Sequence, residues 1–245
     1  DIDFECAPAI KESILKRASV GDYSYTFIGD DFYDAIINWN KRRFDVYIEK
    51  DWIKLTFGTV STLHYIVQAY TKEGEGVLIN TPAYDPFAEA VVNNNRKLCC
   101  SSLKLDNNRY YLDLEDMENQ MKYENIRLLI FCSPQNPSGR IWTKEELYQV
   151  SELCLKYNVI LVSDEIHRDI IFKDYRFVSL WNAHPEIYKN SIICVSPNKG
   201  FNLGGLKTSY VLIRDVKIRE TLLERLKSNS ITSPNVFAIP AIVAA

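Results

Sequence analysis

The chain has 245 residues, 47% of them hydrophobic and 25% charged, with a formal net charge of −3. That balance excludes a disordered or fibrous chain and supplies enough apolar surface for a large core. Acidic and basic residues are interspersed, so neither a basic nucleic-acid footprint nor an acidic tail is present, and a small-molecule enzyme fits best. The six cysteines form no CxxC pair, and several sit in apolar runs such as Leu128-Leu-Ile-Phe-Cys132, where cysteine behaves as a small buried hydrophobe. They read as reduced thiols of a cytoplasmic protein. No apolar run approaches the roughly 20 residues of a membrane helix, and Asp1-Ile-Asp-Phe-Glu-Cys6 lacks the basic start and apolar stretch of a leader.

In chain order, a helix is predicted over 61–70, with Leu63, Ile66, Val67 and Tyr70 on one face and Gly58-Thr59 just before it. Short β-branched runs predict strands over 76–80, 97–101, 127–132, 159–163, 191–195 and 208–213. Thr143-Lys-Glu-Glu146 is a capping box, opening a helix that runs to about 157. A last helix is predicted over 215–227. Strands alternating with amphipathic stretches indicate βα units around a mostly parallel sheet, and no repeat or Gly/Ser linker divides the chain. The chain begins without methionine and stops at Ile242-Val-Ala-Ala245 inside an apolar helical pattern, so it reads as a fragment.

The chemistry concentrates in two segments that follow strand-like runs. Ser196-Pro-Asn-Lys199-Gly-Phe-Asn-Leu-Gly-Gly-Leu-Lys207 places a lysine before glycines that permit close backbone approach to a ligand, with Lys207 as a second cation. Asp164 ends the run Val159-Ile-Leu-Val-Ser163; alone it would be a helix N-cap. An imine-forming lysine paired with a carboxylate able to keep a pyridine nitrogen protonated points to pyridoxal 5′-phosphate. Two turns add to this pattern. Gly58-Thr59-Val60-Ser61 precedes a helix, so its amides and the helix dipole form a phosphate cradle. Ser133-Pro-Gln-Asn136-Pro-Ser-Gly139-Arg140 follows a buried strand.

Together these motifs resemble the fold-type I, pyridoxal-phosphate-dependent enzymes of the class I/II aminotransferase superfamily. Asp164-Glu-Ile-His167 is similar to the MalY/PatB-type cystathionine β-lyase (C–S lyase) branch, because His167 stands where ordinary aminotransferases usually carry tyrosine. The resemblance implies a three-layer α/β/α fold with a mostly parallel central sheet. It implies an N-terminal segment, 1–30, that contributes to a dimer site, and a cofactor-binding large domain, 31–245, with a small domain and its substrate-carboxylate arginine expected beyond Ala245. It further implies that Lys199 carries the cofactor and acts as base, Asp164 meets the ring nitrogen, Asn136 meets the phenolic oxygen and Tyr84 stacks on the ring. Thr59 and Val60 match backbone phosphate contacts, Ser196 a side-chain contact and Tyr25 a tyrosine lent to the neighbouring subunit of a homodimer. Asn198 stands where many relatives have serine, and Lys207 where many aminotransferases have arginine. The implied activity is β-elimination from cystathionine or related cysteine S-conjugates, with amino transfer to a 2-oxo acid as the alternative and an inactive cofactor-domain fragment as a third reading. No metal, nucleic acid or membrane partner is expected.

Overall fold

The computed structural model describes residues 3–245; Asp1 and Ile2, with which the expected N-terminal segment begins, lie outside the described residues. Helices α1 (Pro8–Ser19) and α2 (Asp30–Phe44) precede strand β1 (Ile53–Thr56), helix α3 (Thr59–Tyr70), strand β2 (Gly76–Thr81), helix α4 (Asp85–Val92) and strand β3 (Lys97–Ser102). A hairpin of β4 (Lys104–Asp106) and β5 (Arg109–Tyr111) turns through Asn107 and Asn108, both at positive φ. Then come α5 (Leu114–Tyr123), β6 (Ile126–Cys132), α6 (Lys144–Lys156), β7 (Ile160–Asp164), the short α7 (Leu180–Ala183) and β8 (Ser191–Val195). Strand β9 (Ser209–Leu212), α8 (Val216–Ser228) and α9 (Ala238–Ala244) complete the order.

Every strand predicted from sequence forms, with ends displaced by no more than one residue. The main sheet has seven strands in the order β1-β9-β8-β7-β6-β2-β3. Its body from β3 to β8 is parallel, whereas β9 and β1 pair antiparallel at one edge. The period-2 alternation of each strand sends side chains to two faces. On β6, Leu129 and Phe131 pack with α2, α5, α6 and α7, while Leu128, Ile130 and Cys132 pack with α3, α4 and α8. Both faces are covered, as a parallel sheet requires, so the inner strands β2, β6, β7 and β8 are near-continuous apolar runs, while the edge strand β3 alternates buried and exposed residues. Burying each such side chain contributes about 1.5–3 kcal/mol.

Local rules set the helix starts. The capping box of α6 closes with Glu146 N donating to Thr143 Oγ1 at 3.1 Å and Thr143 N donating to Glu146 Oε2 at 2.7 Å. Helix α3 begins at Thr59, earlier than the apolar period indicates, because Gly58 adopts φ +92° and its carbonyl accepts from both the amide and the hydroxyl of Thr62. A positive φ of this kind is cheap only for glycine. The N-terminal segment joins the body through Ile10 of α1, which packs with Leu203 and with Ala241 of α9.

Candidate functional site

In the parallel part of the sheet, β2 leads outward to β3, and the chain then returns to β6 and proceeds through β7 and β8 on the other side. Such a reversal opens a crevice outside the carboxyl ends of the strands, where open α/β sheets place ligands. Tyr84 follows β2, Asn136 follows β6, Asp164 ends β7 and Lys199 follows β8. These four residues, with Thr59, Val60, His167 and Lys207, line one cavity of about 800 Å3. Eight of the ten residues singled out from sequence therefore meet in one place.

The other two lie elsewhere. Ser196 is buried, donating from Oγ to the Thr208 carbonyl at 2.6 Å and accepting from the Asn198 amide at 3.1 Å, so its hydroxyl shapes the turn that carries Lys199. Tyr25 is 94% exposed and outside the cavity wall.

Asp164 shows how sequence and fold combine. Strand β7 carries it into the sheet's carboxyl end, and a turn rather than a helix follows, so it caps nothing. Its neighbours in register are Cys132 on β6 and Cys194 on β8. Burial pushes its carboxyl up to about 7, and the Ile166 amide, 3.2 Å from Oδ1, offsets only part of that. A carboxylate facing a cavity in this condition is stabilised by a cation placed opposite it. Glu165, next in sequence, points away and is absorbed by the fold: Ser179 Oγ and the Leu180 amide donate to it, and Arg168 lies 3.5 Å off.

Burial, and then the Lys199 cation, hold the His167 imidazole below its usual pKa, so it is neutral near pH 7. The lysine's turn is tied down on several sides. Phe201 N donates to Pro197 O at 2.9 Å, and the Phe201 ring meets Trp39 edge-on with centroids 5.3 Å apart. Gly200 lies so close to Asp169 that a Cβ there would come within 2.9 Å of the aspartate's Cβ. With its amide oriented to donate, Asn198 reaches the Leu203 carbonyl at 2.9 Å.

Elsewhere on the cavity wall, no side chain caps α3, leaving its first amides available to a ligand. Thr59 Oγ1 is buried there without a hydrogen-bond partner. Lys207, at φ 50°, lays its stem along Gly58, so that a Cβ on that glycine would lie 3.7 Å from Lys207 Cδ. A helix terminus, an unsatisfied hydroxyl and a lysine form an anion cradle. The cavity thus fits a flat molecule bearing a phosphate at one end and a protonated ring nitrogen at the other, which is the shape and charge of pyridoxal phosphate. Sequence reading missed Cys132, which also lines the cavity. Its strand parity with Ile130 and Leu128 was the available signal.

The aminotransferase class I and II family matches residues 3–245. Cystathionine beta-lyase PatB of Bacillus subtilis (strain 168) is 34% identical over 245 residues, covering 100% of this chain and 63% of the relative. Protein MalY of Escherichia coli (strain K12) is 29% identical over 253 residues, again covering 100% of this chain and 63% of the relative. Among solved structures, the PLP-bound C-S lyase from Staphylococcus hominis superposes with a TM-score of 0.94 at 30% identity, covering 100% of this chain and 62% of that one. The chain therefore spans about 63% of the length of the curated relatives it matches.

Proposed function

The chain belongs to the aminotransferase class I and II family, and from that premise we propose that it forms the cofactor-binding part of a pyridoxal-phosphate-dependent carbon–sulfur β-lyase. The reaction is the cleavage of cystathionine or a related cysteine S-conjugate, with water, to pyruvate, ammonia and a thiol. The observation that carries this reading is the convergence of Lys199, Asp164, Asn136 and His167 on one cavity whose far end is an anion cradle. Similarity to PatB and to a C-S lyase structure supports elimination over amino transfer.

When bound, pyridoxal phosphate supplies an electron sink for the pair left at the substrate Cα. The residues then divide the work. Lys199 Nζ would hold the cofactor and, when free, its amine would take the proton from the substrate Cα. Asp164 holds the proton of the ring nitrogen, and the opposing positive charge lowers the carboxyl from its raised value. The side-chain amide of Asn136 would donate to the phenolic oxygen, and Tyr84 would cover the ring. The amides of Thr59 and Val60, with Lys207, hold the phosphate, while Ser196 contributes by shaping the lysine's turn. Neutral His167 adds a polar group beside Lys199 without a second cation.

We assign residues 1–30 to a dimer arm and 31–245 to the cofactor domain. The high exposure of Tyr25, at 94%, suits a side chain that a homodimer would bury at the neighbouring site. No helix among the described residues is long and apolar enough to cross a membrane. A cytoplasmic setting is supported by the free cysteines, four of them buried as small apolar residues.

The test uses the full-length protein with pyridoxal phosphate and L-cystathionine, without a 2-oxo acid, following pyruvate and free thiol together. Equal release of both is expected. No release, with amino transfer once a 2-oxo acid is added, would assign aminotransferase activity instead.

A further inference from the structure

Cys132 is the last residue of β6, and its side chain does more than fill space. Its thiol donates to the Pro134 carbonyl at 3.1 Å and accepts from the Asn136 amide at 3.4 Å. It thus stitches the 133–137 turn back onto the strand from which it departs. The backbone beneath is fixed as well, since Trp142 Nε1 donates to the Cys132 carbonyl at 2.9 Å and Ser133 N donates to Asp164 O at 2.9 Å. On the turn's outer side Gln135 does the complementary work, donating to Pro82 O at 2.7 Å and accepting from the Ser138 amide at 2.8 Å. Cys132 and Asn136 line the same cavity, and Cys132 sits in register with Asp164. The turn therefore has two anchors, and the thiol is the one beside the ring site.

We propose that Cys132 is a positioning residue of the cofactor site, whose thiol bonds hold the Asn136 side chain where it meets the cofactor's phenolic oxygen. This rests on the reading of the cavity as a pyridoxal-phosphate site. The thiol serves as a hydrogen-bonding strut and not as a nucleophile, because burial and then the Asp164 carboxylate raise its pKa and leave it protonated. If the strut is lost, the turn loosens, the bond from Asn136 weakens, and the phenolic oxygen holds its proton more readily. Sulfur is suited to the place: it is large enough to reach both backbone groups and apolar enough to sit among Leu128, Ile130 and Val162.

The experiment compares Cys132→Ala and Cys132→Ser in the full-length protein, since these variants differ only by a hydroxyl able to take the thiol's place. Cys132→Val serves as a volume control. Two quantities are read: amide exchange at Asn136 in cofactor-free protein, and the ratio of the phenol and phenolate absorbance bands of bound pyridoxal phosphate at fixed pH. Alanine and valine are expected to speed Asn136 exchange about tenfold and to shift the band ratio about twofold toward the protonated form, with serine closer to the wild type, as befits one lost hydrogen bond. Wild-type values in the alanine protein, or a serine protein no closer to wild type than the valine protein, would overturn the strut. Failure of the wild type to bind pyridoxal phosphate would instead refute the proposed function, while the exchange comparison would still decide whether Cys132 anchors the turn.

Discussion

At the Asp164 end of the cavity the polar groups arrive on buried parallel strands, whereas at the Thr59 end they come from a helix terminus and a glycine-rich turn. The two ends hold charge by different physics. Asp164 sits in a desolvated place whose own hydrogen bonding is sparse, so its state depends strongly on what is placed opposite it. The Thr59 end offers several donors at once, each contributing a share to an anion's binding. Alterations at the strand end should therefore act on rate, and those at the helix end on affinity.

The largest effect is expected for Lys199→Ala, which removes the proposed attachment point and base: turnover should fall roughly a thousandfold or more, and the absorbance of lysine-linked cofactor should vanish. Retention of either would remove Lys199 from the chemistry. Asp164→Asn should keep the cofactor but lose roughly a hundredfold in kcat, because an amide cannot hold the ring nitrogen's proton as a carboxylate does. If it weakened cofactor affinity without touching kcat, the division between the ends would collapse. Lys207→Ala should do the reverse, weakening cofactor binding about tenfold with kcat nearly unchanged at saturation, as measured by titration of the cofactor-free protein.

A last effect, on stability rather than on rate or affinity, is a pH dependence in cofactor-free protein. Asp164 titrates near 7 when folded and near the ordinary carboxylate value of about 4 when unfolded. Between those values the folded state binds more protons, so stability is highest in acid and falls as pH rises toward 7. Thermal melts from about pH 5 to pH 7.5 should show a steeper decline in the wild type than in Asp164→Asn. Adding pyridoxal phosphate should flatten the wild-type curve. Parallel curves would mean that solvent or another group already relieves the buried carboxyl.

Much of the framework was legible in the chain. The apolar runs that became β2, β6, β7 and β8 are buried on both faces and therefore unambiguous, and the Thr143 capping box is a strictly local rule that the fold kept. Strand β1 escaped notice, since Ile53–Thr56 is short and partly exposed and becomes a strand only by pairing with β9. Of the site, the residues placed directly after buried strands were readable because such positions lie at the sheet's carboxyl edge whatever the remainder does. Ser196 was named from the family resemblance, yet which way its hydroxyl turned depended on the Thr208 carbonyl brought alongside by the chain's return into β9.

The sequence by itself determined the inner strands, the glycines at the turns and the lysine and aspartate that follow or end those strands, because those are set by local backbone preference and by runs of apolar side chains. Only the tertiary structure decided that Cys132 and Cys194 flank Asp164 and that Lys207 lies along Gly58. Each of these depends on strand order and register, which arise from pairing between segments far apart in the chain and leave no mark on any one of them alone.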